Sequence, residues 1–461
     1  MKLDLNFTLS SLRNSYEIGN VTPEIIINEV FNRIENDSHD AIWISLRDKT
    51  KLFEIVSSLK YIHSKSLPLY GIPFSVKDNI DVAGLPTTAA CPSFSYTAKK
   101  SATIVEQLEK AGAICIGKTN MDQFATGLNG TRSPYGSCGS AFNPMMVAGG
   151  SSSGSAVSVA LQQVCFSIGT DTGGSGRIPA GLNNIVGLKP TVGILSSNGL
   201  VPCCPSLDCP SIFSLNVEDA IEVAEILFQT NSSDPSLRYD YKKSSFNLTK
   251  IKNSFNVYIP QKNQLEFFGN EEGKTLYENA IVNLCSLGGV IKYIDYEPFL
   301  EASKLLFDGP WVADRYASIG SFIQQNKDNV LDVTKEVVDN GIKWKAEDVF
   351  KAMEKIKDIK AFIRSNIEEN DFLVLPTVPT IYTIKEMEKD PILLNNQHGY
   401  YSYFANILDL CAISIPSNFY SIGMPFGITI MAHAFKDSQV ASLGKAFTDL
   451  IATAPGKERD S

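Results

Sequence analysis

The spacing of apolar residues along the chain predicts several amphipathic helices. In 22–35, TPEIIINEVFNRIE, a threonine that can cap a helix precedes a proline at the first helical position. Apolar residues then recur at intervals of three and four, which is helical spacing. The same spacing predicts helices in 101–113, SATIVEQLEKAGA, and in 347–367, EDVFKAMEKIKDIKAFIRSNI.

Short apolar runs between these helices predict strands. In 70–80, YGIPFSVKDNI, apolar and polar residues alternate, which predicts a strand whose polar face leads to Lys77. Buried strands are predicted where the runs are continuously apolar: AICIGK, VCFSIGTD, FLVLPTVPT and FGITIMAHAF. Strands and helices alternate along the first half of the chain, as in an α/β sheet. Because no low-complexity linker divides the chain, we predict a single domain over residues 1–461.

Composition narrows the class of protein. The chain has 461 residues, 44% hydrophobic and 20% charged, with a net charge of −9. A nucleic-acid-binding surface needs a basic face, so the acidic balance argues against such a partner. No stretch reaches the roughly 18–20 apolar residues of a membrane span, so no membrane partner is predicted.

Cysteine usage and the first residues indicate the compartment. The nine cysteines are scattered without a C-x-x-C pair, and several lie in apolar runs, which favours small buried side chains in a reducing compartment. The first residues, MKLDLNFTLSSLRNSY, have acidic and polar residues where a signal peptide needs an apolar core. Both features predict a cytoplasmic protein.

A run of small residues at 148–160, AGGSSSGSAVSVA, allows three interpretations: a flexible tether, an anion cradle, or a loop that aims hydroxyls at a reacting bond. The tether is disfavoured because the run continues into apolar residues that must pack. A nucleotide cradle is disfavoured because this run contains neither the P-loop spacing nor a G-x-G-x-x-G turn. The catalytic interpretation is therefore the strongest of the three.

A second turn at 170–181, TDTGGSGRIPAG, supports catalysis. It places Ser175 after two glycines, at the end of a predicted strand. Glycines allow a tight turn in which consecutive N–H groups converge, and such donors stabilise the oxyanion of an acyl transfer. Ser175 is accordingly a candidate nucleophile.

A serine nucleophile needs a base, and the four histidines lie in no recognisable motif. We therefore interpret the histidines as surface or core residues. A lysine kept neutral by burial is the remaining type of base, because desolvation lowers the pKa of an amine. Lys77 fits this description, although spacing alone leaves Lys118 and a plain surface lysine as alternatives.

Three elements together resemble the amidase signature family: VKDNI with Lys77, GGSSSGSA with Ser151, and GTDTGGSGRIPA with Ser175. The signature core covers about 70–200. The resemblance implies an α/β/α sandwich, with a central mixed β-sheet covered by helices on both faces. It also implies no cofactor and no metal.

The resemblance assigns roles to individual residues. Ser175 corresponds to the nucleophile, Ser151 to a bridging serine that follows a cis peptide bond, and Lys77 to the base. The oxyanion hole corresponds to the backbone N–H groups of Thr172, Gly173, Gly174 and Ser175. Structural roles fall to Ser152, Ser153, Asp171 and Arg177, and Arg177 is also a candidate for contact with the substrate.

The flanking segments resemble the allophanate hydrolase branch of the family, specifically its N-terminal amidase part. They include GLNNIVGLKPTVGILSSNGLVPCCPSLDC, DGPWVADRY, and Gln123 where the wider family usually has glutamate. This branch implies hydrolysis of allophanate, a small anion, with release of ammonia and N-carboxycarbamate. Because a carboxylate calls for a cation, the resemblance assigns the anion to Arg315. The alternative for Arg315 is an ordinary helix-surface arginine.

Further expectations follow from that branch. Residues 125–127 (Ala125, Thr126 and Gly127) are expected to line the site with backbone groups, and Phe307 to form an aromatic wall without a hydroxyl. Full-length allophanate hydrolases carry a C-terminal domain that this chain is expected to lack. A homodimer is expected, as is fusion or association with a biotin-dependent urea carboxylase. The alternatives are another amidase of the family, a glutamine-hydrolysing amidotransferase component, and a non-catalytic protein that binds a small anion.

Overall fold

A large mixed β-sheet dominates the computed structural model, which describes residues 5–228, 234–238, 240, 245–452 and 455–457. Within these residues the strands are β1 (Trp43–Leu46), β2 (Pro73–Lys77), β3 (Pro86–Thr87), β4 (Tyr96–Thr97), β5 (Ile114–Thr119), β6 (Phe166–Asp171), β7 (Val186–Lys189), β8 (Cys209–Ser214), β9 (Phe255–Pro260), β10 (Gly289–Ile294), β11 (Phe372–Pro376), β12 (Leu410–Phe419) and β13 (Pro425–His433). Eleven of them form one sheet in the order β1-β5-β2-β6-β8-β7-β12-β13-β11-β9-β10, and β3 pairs with β4.

Both faces of the sheet are covered by helices. In the described part of the chain these are α1 (Leu9–Glu17), α2 (Pro23–Glu35), α3 (Lys49–Leu59), α4 (Thr103–Lys110), α5 (Ser153–Ala160), α6 (Ile178–Gly181), α7 (Val217–Leu227), α8 (Glu271–Ser286), α9 (Glu297–Phe307), α10 (Val312–Gln325), α11 (Asp332–Asp339), α12 (Ala346–Asn366), α13 (Ile384–Lys389), α14 (Leu393–His398), α15 (Phe404–Ile407) and α16 (Asp437–Ile451). This architecture confirms the predicted sandwich.

Two hydrophobic cores lie on opposite sides of the sheet. Strand β12 shows the division, because Ile413 and Ile415 pack into the core with α2, α7 and α16. The alternate residue Ala412 packs into the core with α9, α12 and α15. Successive side chains of a strand point to opposite faces, so a strand between two helical layers is apolar on both.

The pairing pattern is mixed, as expected. Strand β2 runs parallel to β5 and β6 on either side of it, while β6 and β8 are antiparallel. Strands β9, β10 and β11 are parallel to one another. The parallel pairing of β2 and β6 brings their carboxyl ends to the same edge of the sheet.

Individual elements agree well with the hydrophobic pattern. Helix α2 begins at Pro23, and the Thr22 hydroxyl accepts a hydrogen bond from Ile25 N. Strand β2 is shorter than the predicted 70–80, and its side chains are buried on both faces because helices cover both sides of the sheet. Eight of the nine cysteines are buried; only Cys285 is exposed. None of the described helices is long and apolar enough to cross a membrane.

Candidate active site

Three segments meet at the edge of the sheet where β2 and β6 end. Lys77 is the last residue of β2, Ser175 lies in the turn that follows β6, and Ser151 lies in the loop before α5. Val76 of β2 is in register with Ile168 of β6, so the two strand ends are neighbours. The fold thereby brings together side chains from positions 77, 151 and 175, which are far apart in the sequence.

The three side chains form one continuous chain of hydrogen bonds. Lys77 Nζ lies 2.7 Å from Ser151 Oγ, and Ser151 Oγ lies 2.8 Å from Ser175 Oγ. Lys77 and Ser151 are fully buried, while Ser175 is 3% exposed. A proton can therefore move between the serine and the amine through one hydroxyl, without passing through solvent.

Burial of the Lys77 side chain changes the pKa of its amine. Desolvation lowers the pKa of Lys77 to about 8, against the opposing influence of Cys203, Asp122, Asp208 and Asp171. An amine with this pKa has a substantial neutral fraction near neutral pH and can accept a proton. Lys77 Nζ also lies 2.9 Å from Thr170 Oγ1, which fixes its position.

The peptide bond between Gly150 and Ser151 is cis. Gly150 has no room for a side chain, because a Cβ there would lie 2.1 Å from Asp122 Oδ2. Asp122 in turn accepts hydrogen bonds from the backbone N–H groups of Asn129, Gly130 and Arg132. The carboxylate thus organises the loop around Ser151.

The turn that carries Ser175 is held by a buried ion pair. Arg177 Nε and Nη2 each lie 3.0 Å from an oxygen of Asp171. Burial favours the neutral form of this carboxyl, but the guanidinium outweighs it and lowers the pKa of Asp171. Arg177 Nη1 donates to Ser402 O. Arg177 is therefore committed to the turn, consistent with the structural role expected of it.

The four backbone N–H groups assigned to the oxyanion hole differ in availability. Gly174 N donates to Asp171 Oδ1 at 3.0 Å, so this group already has an acceptor. The N–H groups of Thr172, Gly173 and Ser175 donate to none of the residues that the structure describes. The side-chain hydroxyl of Thr172 donates to Asp208, which leaves its backbone N–H available. Thr172, Gly173 and Ser175 are consequently the available donors for an oxyanion at this turn.

Arg315 is buried in α10 and is not a surface arginine. It is 4% exposed, and its Nε has no hydrogen-bond partner within the described part of the chain. No carboxylate among those residues lies in ion-pair contact with it. Its guanidinium carbon lies 5.7 Å from the ring centroid of Phe307, and Phe307 packs against Tyr403. A buried guanidinium without such a partner favours an anionic ligand.

Electrostatic coupling connects Arg315 with the lysine. Burial disfavours the charged guanidinium, but Cys203, Cys204 and Asp208 outweigh this effect and hold the pKa of Arg315 above its ordinary value. Cys203 and Asp208 act on Lys77 as well. The guanidinium and the amine therefore share charged neighbours, and the arginine lies near the site.

Residues 125–127 form a buried loop next to these groups. Ala125 O accepts a hydrogen bond from Cys203 Sγ at 3.5 Å, and Thr126 O accepts one from Arg132 Nη1 at 2.7 Å. A Cβ on Gly127 would lie 2.6 Å from Asp122 Oδ2. Glycine is thus required where this loop passes the carboxylate that organises the Ser151 loop.

Other candidates have structural partners. Lys118 Nζ lies 3.5 Å from Asp78 Oδ1 and 3.0 Å from Thr87 Oγ1, so its charge is paired away from the serines. Gln123 bridges Ala90 O and Leu331 N. The hydroxyls of Ser152 and Ser153 donate to Thr170 O and Asn120 O.

The histidines and other metal-binding side chains form no site in the part of the chain that the structure describes. His398 is fully buried and stacks on Tyr382, and burial lowers its pKa to about 4. His39 pairs with Asp37, and His433 lies 3.0 Å from Ile367 O. Across the described ranges, no cluster of three or more His, Cys, Asp or Glu residues could hold a metal ion.

Two contacts of the site were not predicted from the sequence. Thr170 contacts Lys77 because β6 lies beside β2, and its position in the second turn motif was the available signal. Asp208 contacts Thr172 across a loop that precedes β8. Asp208 lies in a segment that resembles the allophanate hydrolase branch, but its contact with Thr172, 36 positions earlier in the chain, depends on the fold.

This fold and this hydrogen-bonded set of a lysine and two serines define the class of protein. The chain belongs to the amidase family, whose model matches residues 26–441 under the description "Amidase". The match covers the whole of the sheet edge described above.

Individual relatives narrow the comparison. The chain is 42% identical to the urea amidolyase of Saccharomyces cerevisiae over 411 residues, which cover 88% of this chain and 22% of that protein. It superimposes on the allophanate hydrolase of Kluyveromyces lactis with a TM-score of 0.90 and 38% identity, over 97% of this chain and 73% of that one. It is 31% identical to one component of the glutamyl-tRNA(Gln) amidotransferase of Lactobacillus johnsonii, covering 95% of both chains. The chain thus spans about a fifth of the urea amidolyase.

Proposed function

We propose that this chain hydrolyses allophanate at its terminal amide, with Ser175 as nucleophile, Ser151 as proton relay and Lys77 as base. The observation that carries the proposal is the buried hydrogen-bond chain from Lys77 through Ser151 to Ser175. The similarity to the urea amidolyase and to the allophanate hydrolase supports the choice of substrate.

The first half of the reaction forms an acyl-enzyme. Neutral Lys77 accepts the Ser151 proton while Ser151 accepts that of Ser175, and Ser175 Oγ attacks the carbonyl carbon that carries the –NH₂ group. The backbone N–H groups of the 172–175 turn stabilise the oxyanion. The proton returns to the leaving nitrogen, the C–N bond breaks, and ammonia departs. Lys77 is then neutral again.

The second half restores the serine. Water attacks the acyl carbon, and the same relay takes a proton from the water. The C–O bond to Ser175 breaks, Ser175 recovers its proton, and N-carboxycarbamate leaves. That product decays to carbon dioxide and ammonia. No cofactor enters either half, because proton transfer and nucleophilic attack need only these side chains.

The relay requires the hydroxyl hydrogens to point toward the amine. When Lys77 is protonated, its Nζ donates to Ser151, and the chain then runs toward Ser175. When Lys77 is neutral, the hydroxyls can rotate so that Ser175 donates to Ser151 and Ser151 donates to Nζ. Only the second direction supports attack, so turnover depends on the neutral amine.

Arg315 is the proposed partner of the allophanate carboxylate, with Phe307 beside it and residues 125–127 around the amide. The burial of its guanidinium, with Nε lacking a partner among the described residues, supports this role. Malonate is a stable mimic of the carboxylate, and a crystal soaked with malonate should show an oxygen within hydrogen-bond distance of Arg315. Malonate bound elsewhere would contradict the assignment.

The direct test uses the purified chain and measures ammonia released from allophanate, glutamine and malonamate. Allophanate should be preferred by orders of magnitude in kcat/KM. Glutamine is the comparison that matters most, because the amidotransferase component is also similar over nearly the whole length. Equal rates with allophanate and glutamine would contradict the proposal.

The domain organisation, oligomeric state and compartment are proposed from the same similarities. We propose that residues 1–461 form one amidase domain. We also propose a cytoplasmic homodimer that acts on allophanate supplied by a fused or associated urea carboxylase. Light scattering measures the homodimer directly, and a monomer at micromolar concentration would contradict it.

A further inference from the structure

One carboxylate near the site has no role in the reaction described above. Asp208 lies just before β8, and its two oxygens have different partners. Oδ1 accepts the hydrogen bond from the Thr172 hydroxyl, and Oδ2 accepts bonds from the backbone N–H groups of Cys203 at 2.7 Å and Cys204 at 3.0 Å. A single side chain thus joins the oxyanion turn to the loop that carries Cys203.

The charge of Asp208 acts on both functional cations of the site. It stabilises the protonated form of Lys77 and the charged form of Arg315. Among the residues that the structure describes, no cation makes ion-pair contact with Asp208. Its field on Lys77 is therefore not cancelled by a contacting partner.

The other groups that face Lys77 differ from Asp208 in an important respect. Asp171 is neutralised by Arg177, and Asp122 is saturated by backbone N–H groups. Burial raises the pKa of Cys203, so its thiol acts on Lys77 only at a pH high enough to ionise it. Asp171 and Asp208 both bind the oxyanion turn, but among the described residues only Asp208 of these two has no cation in ion-pair contact.

From these contacts we infer that Asp208 is a positioning residue: it holds Thr172 in the oxyanion turn, and its negative charge adjusts the Lys77 base. This inference rests on the proposed hydrolysis, because it concerns the same site. It separates two effects that different variants can remove one at a time, namely the hydrogen bond to Thr172 and the charge.

The pKa values of Asp208 and Lys77 set the pH range of the test. Burial raises the pKa of Asp208 to about 6, whereas the pKa of Lys77 is lowered to about 8. Asp208 is therefore ionised where Lys77 titrates. Removing its charge makes protonation of Lys77 less favourable, so the pH at which activity rises should move downward.

The experiment compares kcat and KM for allophanate between pH 6 and 10 in the full chain. In Asp208→Asn the acid limb of kcat should move to lower pH. The plateau kcat should fall at least about tenfold, less than the 10²–10³-fold loss from removing an oxyanion donor outright. In Thr172→Val the carboxylate remains but loses the hydrogen bond that lowers its pKa, so the plateau should fall and the acid limb should move less than in Asp208→Asn.

Asp314→Asn is the matched control. Asp314 Oδ2 accepts hydrogen bonds from Ser206 N, Ser206 Oγ and Cys204 Sγ, so it stabilises the same loop from another side. It is not among the groups that act on Lys77. The acid limb of the kcat profile of Asp314→Asn should coincide with that of the unchanged protein, whatever effect a looser loop has on the plateau rate.

The outcomes separate this inference from the proposed function. No ammonia from allophanate in the unchanged protein at any pH would defeat the proposed function. An active protein in which Asp208→Asn leaves the acid limb in place, or in which Asp314→Asn moves it equally, would overturn the role of Asp208. Should Asp208→Asn not fold, Thr172→Ser must restore the rate lost in Thr172→Val; equal rates in these two variants would overturn the inference.

Discussion

Lys77 Nζ lies 2.7 Å from Ser151 Oγ at a position from which water is excluded. Among the described residues the amine has no carboxylate in ion-pair contact, and its burial explains the lowered pKa. The neighbouring Lys118 is equally buried but has Asp78 at 3.5 Å. Two adjacent strands therefore carry one lysine suited to accept a proton and one suited to keep its charge.

The pH dependence of turnover should follow the buried amine. Because burial lowers the pKa of Lys77 to about 8, kcat should increase as the pH rises through about 8 and level off above it. The sign follows from the base role, since protonated Lys77 cannot accept a proton from Ser151. A kcat profile measured from pH 6 to 10 checks this expectation, and a rate independent of pH across that range would contradict it.

Loss of the nucleophile should abolish turnover without unfolding the chain. Ser175→Ala should lower kcat at least about 10³-fold, by analogy with nucleophile removal in serine hydrolases. The hydroxyl contacts Ser151, so its removal leaves the buried relay with one partner fewer. Ammonia release measures the loss, with the exposed Ser95→Ala as control. Normal turnover in Ser175→Ala would remove this residue from its role.

Loss of the guanidinium should weaken binding of an anionic substrate. Arg315→Met should raise KM for allophanate about 10–100-fold, the effect of one or two charge-assisted hydrogen bonds. Hydrolysis of a neutral amide should change much less, because such a substrate has no carboxylate for the arginine to bind. Steady-state kinetics on both substrates check this, with the exposed Arg364→Met as control. A parallel loss on both substrates would point to a structural role instead.

Burial of the Lys77 amine should lower the free energy of unfolding. Lys77 titrates near pH 8 when folded and near its ordinary 10.5 when unfolded, so the unfolded chain binds more protons between these values. Lys77→Met should therefore raise the free energy of unfolding at pH 7 by about 1–3 kcal/mol, after allowing for the lost hydrogen bonds. The gain should shrink as the pH rises from 8 toward 10.5, and urea unfolding at several pH values measures it.

Lys118→Met provides the contrast in the same urea experiment. It leaves Asp78 buried without its cation, so it should destabilise the protein. A destabilising Lys77→Met alongside a neutral Lys118→Met would contradict the assignment of the two lysines.

Much of the architecture follows from local sequence patterns. The limits of α2, α4 and α12 lie within a few residues of the periodic segments, because apolar spacing and caps act over one or two turns. The apolar runs became β5, β6, β11 and β13 for the same reason. The serines proposed for catalysis, Ser151 and Ser175, were singled out by their motifs, because turns rich in glycine and serine are distinct in composition.

The tertiary structure decided what those residues can do. In the sequence, Lys77 and Lys118 both follow apolar runs and cannot be told apart. Folding places Asp78 beside Lys118 and Ser151 beside Lys77. The sequence allows Arg315 to lie on a helix surface, whereas the structure buries it and leaves its Nε without a partner in the described ranges. The segment that carries Asp208 can be recognised in the sequence, but its contact with Thr172 cannot. Burial and charge pairing depend on segments distant in the chain, so proton affinity and anion binding are properties of the packed site, while helices and strands are properties of short stretches of sequence.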